Sequence, residues 1–442
     1  FVAADQPFPE IRVMTRSGDT PQADRRRMQR HPPEILITTP ESLNLLLSSA
    51  GGRSMLSEVS ALLLDEIHSV VGSKRGTHLI TAAERLVRES GEFQRIALSA
   101  TVRPMDVVGE FVGGFTMAGA GSDAQYTPRP VTTIRSDASK SYDVRVSFPQ
   151  AANDDRDRDD FWEPLVDEFR TIIAGNRSTL LFTNSRRLCE KITLFINELE
   201  DEPVAYSHHG SLSREIREEV ERKLKDGELK GIVATSSLEM GIDIGALDEV
   251  VLIQSPSSIS SAIQRVGRAG HQVGEVSRAA LFPTHARDFI HAAVLAAAIE
   301  DQDIEEVRPV RCPLDVLAQI VVSMVGAERW DIDELFAFLR STYPYHALPR
   351  DAFDGVLNML AGRYADTRVR ELQPRISLDR LDNVATVRKG AMQTLYASGG
   401  TIPDRGYFHM RHHESNARIG DLDEEFVWEQ EEGTTFTLGA QS

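Results

Sequence analysis

The sequence predicts an α/β chain: parallel-sheet domains first, then a helical module and a partial antiparallel β domain. Up to about residue 300, short runs rich in Leu, Ile and Val alternate with amphipathic segments, the pattern of βα units on a parallel sheet. Each apolar run ends in polar residues, and open α/β sheets bind ligands beyond the carboxyl ends of their strands. Past residue 300 the alternation stops.

Buried strands are expected at "EILITT" (34–39), "ALLLDE" (61–66), "RIALSA" (95–100), "STLLFT" (178–183), "GIVAT" (231–235) and "EVVLIQS" (249–255). Between about 117 and 160 the pattern fails, because "MAGAGSDAQ" and "NDDRDRDD" are too small or too charged to form a core. The Asp-Arg run reads as a solvated loop, with a regulatory contact as the alternative. "PLDVLAQIVVSMV", "DIDELFAFLRS" and "RDAFDGVLNMLAGRY" read as three amphipathic helices and suggest a winged-helix module. The third has an apolar face of Phe353, Val356, Leu357 and Leu360 and one basic residue over 350–361, so it is expected to pack against the preceding domains, not to read a groove. "GYFHMRHH", "ARIGDL", "EEFVWEQ" and "TTFTLGA" then read as an antiparallel β unit. The expected organisation is a partial first domain (1–120), a linker (121–160), a second sheet domain (161–300), a winged helix (301–370) and the start of a β domain (371–442).

The length of 442 residues leaves room for two to four domains, each with its own core. No apolar run approaches the roughly 20 residues that span a bilayer, so no membrane partner is expected. Cys189 and Cys312 are the only cysteines, too few for a disulfide framework, which fits a reducing cytoplasm. A net charge of −18 argues at first against nucleic acid, but net charge says little about a local groove. Only 7 of the 49 basic residues are lysines; Arg, the bidentate phosphate binder, supplies the rest, although genome composition or salt adaptation explains the same imbalance. The chain opens on Phe1 in mid-pattern without a charged n-region and reads as a fragment.

Four motifs carry chemistry. Asp65-Glu66-Ile67-His68 closes an apolar run; an Asp at a strand tip can hold magnesium, and the adjacent Glu can orient or deprotonate a water attacking a phosphate. The alternative is that both acids cap the next helix. Ser99-Ala100-Thr101 follows another apolar run, where hydroxyls either link a nucleotide site to its neighbour or cap a helix. "ATSSLEMGIDIG" (234–245) puts Thr235 and Ser236 at a strand tip, suited to a backbone phosphate, with Gly241 and Asp243 further on, suited to a nucleotide. "QRVGRAGH" places Gln264, Arg265 and Arg268 beside Gly267 and Gly270, an arrangement that can complete a phosphate site as an arginine finger. A surface ion-pair helix is the alternative, and the glycines weaken a plain helix. Four arginines between 25 and 30 follow "SGDTP"; they either track a strand phosphate or form a solvated helix face.

In this order the motifs resemble motifs II, III, V and VI of superfamily 2 DExH helicases. "LLFTNSRRLCEKI" (180–192) resembles motif IV, "HHGSLSREIREEVERKLKDGE" (208–228) the segment before motif V, and "TTPESL" (38–43) motif Ib. With "RRRMQRHPPEILITTPESL", "DEIHSVVGSKRGTHL" and "SGGTIPDRGYF...GDLDEEFV", the chain resembles the large helicase-related (Lhr) family over essentially its whole length. The resemblance implies two RecA-like domains, the first truncated, then a winged helix and a β-barrel-like domain. It implies ATP and Mg2+ as cofactors, 3'-to-5' translocation on single-stranded DNA, and unwinding of DNA or RNA-DNA duplexes, usually in repair. It further implies Asp65 as magnesium ligand, Glu66 as base, and His68 as the coupling residue toward Gln264 or motif III. Arg268 is the first choice for the finger and Arg265 the second; His271 stands where many superfamily 2 proteins carry a further Arg. Ser99, Thr101, Gly241 and Asp243 would face the nucleotide. Thr39, Pro40, Glu41, Thr183, Ser185, Arg186, His209, Thr235 and Ser236 would face the nucleic acid.

One part is missing from the series. No Gly-Lys dipeptide occurs, so the G-x-x-x-x-G-K-[ST] phosphate loop is absent. Two readings follow: a complete motor of which this is a piece whose first sheet lacks edge-covering strands, or a nucleic-acid-binding or scaffold chain without ATP hydrolysis.

Overall fold

The computed structural model describes residues 10–100, 102–135, 140–149, 161–198, 200, 202–210, 212, 214–239, 247–270, 275–363, 373–398, 400–401, 407–411 and 418–423. The chain divides into two compact units: Phe1–Ala97, Val107–Val131 and Arg308–Ser442 form one, Leu98–Asp106 and Thr132–Val307 the other.

The second unit is built on a six-stranded, all-parallel sheet in the spatial order Ser141–Val146, Val276–Phe282, Glu249–Ile253, Thr179–Thr183, Gly231–Ala234, Ala205–His208. Successive side chains of a strand point to opposite faces, so continuous apolar strands need cover on both. Leu180, Phe182, Ile232, Val250 and Leu252 pack on one face with Val220, Ile263, Leu295 and Ile299 from three helices. Leu181, Val233, Val251 and Ile253 pack on the other with Leu165, Phe169, Cys189 and Ile192.

The first unit carries two separate parallel pairs, Val13–Arg16 with Ile35–Thr38 and Ala61–Leu64 with Gln94–Ala97. The helices Pro40–Leu47 and Lys74–Ser90 are capped by the hydroxyls of Thr39 and Ser73 and bring Leu43, Leu46, Leu47, Ala82 and Leu86 together. Val13, Ile35, Ile37 and Leu63 are exposed, Leu63 to 61 %.

All six expected strands are strands, but the expected linker 121–160 is not one continuous linker. It contains Gln125–Pro128, which pairs antiparallel with Phe115–Ala118 in the first unit, and Ser141–Val146, the edge strand of the second unit's sheet. The hairpin is fixed by Phe115 stacking on His346 at 3.7 Å between centroids and by Tyr126 Oη donating to the Ala337 carbonyl. The acidic run itself lies outside the described residues.

The winged helix comprises the helices Leu314–Ala327, Ile332–Arg340 and Arg350–Leu360 and the antiparallel sheet Trp330–Asp331, Val384–Val387, Ile376–Asp379. Its wing therefore extends past the expected boundary at 370, because Ala385 pairs with Trp330 and Ile376 is buried in the helices' core. The third helix also differs from expectation: Phe353, Val356, Leu357 and Leu360 fill the module's own core, beside Leu317, Leu339 and Ile376. The contact to the preceding elements belongs to Leu314–Ala327 and its flanks. Ser323 bonds the Ser48 hydroxyl, Arg53 donates to the Ala327 carbonyl at 3.1 Å, Lys74 pairs with Asp315 at 3.0 Å, and Arg88 lies over the Trp330 ring. A further antiparallel pair, Tyr407–Arg411 with Arg418–Asp423, lies within the span of the expected β domain, beyond the wing strands. No helix among the described residues is long and apolar enough to cross a membrane.

Candidate functional site

The strand Ala61–Leu64 ends at Asp65, which is exposed, and the chain then turns sharply at Glu66, whose φ of 49° is left-handed. A non-glycine residue there costs on the order of 1 kcal/mol and persists only where its surroundings impose it. Asp65 Oδ1 accepts the Glu66 N–H at 3.0 Å, Ile67 is buried beneath, and the His68 ring, its side chain 4 % exposed, lies with Nε2 3.4 Å from Glu66 Oε2. The following helix, His68–Val71, has Ile67 at its N-cap and no side-chain cap, so neither acid caps it through a hydrogen bond. The turn presents two carboxylates at a strand tip and backs one of them with a buried imidazole.

This donor set suits magnesium. Mg2+ is commonly held by one or two protein carboxylates plus substrate phosphates and waters, and Asp65 offers an exposed carboxylate in that role. Among the described residues no group of three or more ligating side chains forms a self-sufficient metal cage. The phosphate-cradling Gly-Lys loop is not in the sequence, so only part of a nucleotide site is supplied by these residues.

Ser99 and Ala100 follow the strand Gln94–Ala97 and belong to the second unit, because the division falls after Ala97. Thr101, Gly241, Asp243 and His271 lie outside the described residues.

In the second unit the strand tips converge at the carboxyl edge of the sheet. The helix Ile259–Val266, capped by Ser258, carries Gln264 and Arg265. Arg265 is only 6 % exposed; Nε donates to Glu239 Oε2 at 3.1 Å, Nη1 to Asn184 Oδ1 at 3.1 Å, and the guanidinium sits over the Phe182 ring. It is an internal tie between strand tips. Arg268, less buried, donates from Nε and Nη2 to the Glu239 carbonyl. Gly270 has a φ of 65°, and a Cβ there would meet the Val276 carbonyl oxygen at 3.0 Å. Lys140 Nζ donates to the Gly267 carbonyl; burial and then the Arg268 charge hold its pKa below the usual lysine value.

The expected strand-contact residues divide into two groups. Ser185 and Arg186 at the start of the helix Arg186–Asn197, and Ser236 after the strand Gly231–Ala234, are exposed; Thr235 is half-buried. Thr183 is wholly buried and its hydroxyl donates to the Ser185 and Ala234 carbonyls, so it cannot touch a strand as expected. His209 is 5 % exposed with Nε2 2.6 Å from Glu190 Oε1, a second correction. In the first unit Thr39 caps its helix by accepting the Ser42 N–H, and Pro40 opens that helix. Burial would raise the Glu41 pKa, but bonds from Arg75, at 2.7 Å, hold it below the ordinary value. Glu41 is thus an anchor for Arg75. Asn184, Glu239 and Gln254, a left-handed residue (φ 71°) closing the strand Glu249–Ile253, were not anticipated. The Glu in "SSLEMG" was the one available signal.

Three family models match in sequence order: the DEAD/DEAH box helicase over 4–108, the helicase conserved C-terminal domain over 164–272, and the winged helix domain of large helicase-related proteins over 297–442. The chain is 40% identical, over 99% of its length, to the Lhr helicase/probable uracil glycosylase of Mycolicibacterium smegmatis, of which it covers 30%. It is 37% identical over 98% of its length to the ATP-dependent helicase Lhr-Core of Methanothermobacter thermautotrophicus, of which it covers 50%. Among solved structures, the Mycobacterium smegmatis helicase Lhr bound to ssDNA and AMP-PNP matches with a TM-score of 0.83 and 40% identity, over 99% of this chain and 55% of that one. The chain spans between about a third and half the length of the curated relatives it matches.

Proposed function

The chain belongs to the large helicase-related (Lhr) family, and from that premise we propose that it supplies the water-activating and strand-gripping parts of an ATP-driven nucleic-acid translocase. The carrying observation is the left-handed turn that sets Glu66 beside Asp65 with His68 behind it. When bound, Mg2+ and ATP supply the transferred phosphoryl group and the charge neutralisation at its oxygens. Asp65 would hold the metal. Glu66 orients the attacking water and takes its proton, and His68 holds the Glu66 carboxylate in position. Arg268 takes the finger role, and Arg265 keeps the Glu239 and Asn184 tips in register. Thr39, Ser185, Arg186, Thr235 and Ser236 grip the phosphates of a single strand, and movement is 3'-to-5'. The unwound substrate is a DNA or RNA-DNA duplex, in repair, within the cytoplasm.

Without a Gly-Lys loop, the 442-residue chain alone should bind nucleic acid and show no DNA-stimulated ATPase. In a longer family chain that includes such a loop, Glu66→Gln should abolish hydrolysis and leave strand binding intact, measured by phosphate release and fluorescence anisotropy. Loss of binding together with hydrolysis would make Glu66 structural and sink the assignment.

A further inference from the structure

The strand Val13–Arg16 leads through Ser17–Thr20 into the helix Gln22–Arg30, which carries Arg25, Arg26, Arg27 and Arg30 within nine residues. Two contacts fix how that helix is turned. Met28 is 1 % exposed and anchors one side. Arg25 is drawn into the preceding loop, donating to the Thr20 carbonyl at 2.7 Å and to the Gly18 carbonyl. At about 100° per residue, Arg26 and Arg30 then stand roughly 160° away from Met28, along the outermost line of the helix, roughly 6 Å apart in rise, with Arg27 on the flank. All three are exposed.

The surrounding charge makes this face unusual. The chain carries an acid excess of 18, and its other arginines are repeatedly paired: Arg12 with Glu34, Arg53 and Arg88 with Glu328, Arg129 with Glu92, Arg222 with Glu219. Among the described residues, no carboxylate lies within ion-pairing distance of Arg26, Arg27 or Arg30. Arg16, 9 % exposed, adds a fifth positive charge at the root of the loop. Cations left unneutralised in so acidic a chain form a local positive field, and a polyanion is the ligand that such a field attracts.

We propose that the outer face of the helix Gln22–Arg30 is a sequence-independent binding surface for the phosphodiester backbone of nucleic acid, outside the helicase motif series. This rests on the reading of the chain as a nucleic-acid translocase. Three guanidiniums with no base-reading geometry contribute affinity and salt dependence, not specificity. Arg25 is not part of the surface, since it holds the loop.

The test uses the 442-residue chain with fluorescent single-stranded DNA and, separately, blunt duplex DNA, titrated from about 50 to 300 mM salt. The triple variant Arg26→Gln, Arg27→Gln, Arg30→Gln should bind at least one polymer on the order of tenfold more weakly at low salt, with the plot of log affinity against log salt shallower by about 2. The corresponding triple Lys variant should restore the slope. Removing the paired cations Arg222 and Lys223 should leave it unchanged. A deficit on single strands alone, or on duplex alone, supports the surface and identifies which backbone it holds. Equal affinity and slope for parent and triple Gln variant on both polymers would overturn the surface while leaving the functional reading intact. A parent chain that binds neither polymer would overturn both.

Discussion

The strands Ala61–Leu64 and Glu249–Ile253 look alike in sequence, short aliphatic runs that end in polar residues, yet their surroundings are opposite. Every residue of the second is buried, because the six-stranded sheet has neighbours on both edges and helices on both faces. The first has one hydrogen-bonded neighbour, and Leu63 on its free face is 61 % exposed. An apolar run therefore specifies a strand, whereas its burial is set by what pairs and packs on it. The two regions also place their polar tips differently: the second unit's tips are bonded to one another through Arg265, Glu239 and Asn184, while Asp65 stands exposed on a strained turn.

The contrast can be broken most directly by truncation. Phe182→Ala removes a fully buried ring from the second sheet and should cost about 3–5 kcal/mol, whereas Leu63→Ala should cost under about 1 kcal/mol. Denaturant unfolding would measure both, and equal losses would mean that Leu63 is covered in solution. Acid should come next. His78, buried in the first unit with Nδ1 lacking a partner among the described residues, has its pKa lowered to about 4 by burial and then by the Arg85 charge. The folded state resists protonation, so the stability it contributes is complete above the ordinary value near 6.5 and is lost as pH falls toward about 4. The loss should approach roughly 3 kcal/mol. Tm measured against pH should therefore fall across that window, less steeply in His78→Gln. In the second unit the effect should be smaller: burial also lowers His208, but Glu221 at 3.0 Å opposes the shift. The smallest effect is expected at Glu66. Glu66→Gly relieves the left-handed backbone and should raise stability by up to about 1 kcal/mol while removing the proposed base. A destabilised Gly variant would show that the side chain, not the backbone, holds the turn.

Much of the fold was legible because buried parallel strands read as continuous aliphatic runs. What escaped was of a different composition. "AYSH" (205–208) is a short edge strand with polar residues, and "SYDVRV" (141–146) alternates beside an acidic run, so neither stands out from a loop. The wing strands fell past the assumed boundary because their pairing partner, Trp330, lies more than 50 positions earlier in the chain. At the site, Asp65-Glu66 and the motif order were visible as local strings. The roles of Thr183 and His209 were not, since a strand-tip residue points inward or outward according to register, and the Ala234 and Glu190 groups that claim them are distant in sequence. The pairing of Arg265 was hidden for the same reason, its partner Glu239 being 26 positions away.

The winged helix seals against the helices of the first unit through Ser48–Ser323, Arg53–Ala327 and Lys74–Asp315, although the whole of the other unit intervenes in sequence between these partners. The first unit is thus discontinuous in the gene product, and the second is effectively an insertion within it. At translation rates of about 5–20 residues per second, the early helices wait roughly 15–60 s for the segment that covers them, so the inserted sheet domain has time to fold first. Their apolar faces are in the meantime open to the wrong partner. A synonymous change that slows elongation within residues 132–307 should burden the yield of the first unit, not the second, even though it lies in the second's coding region.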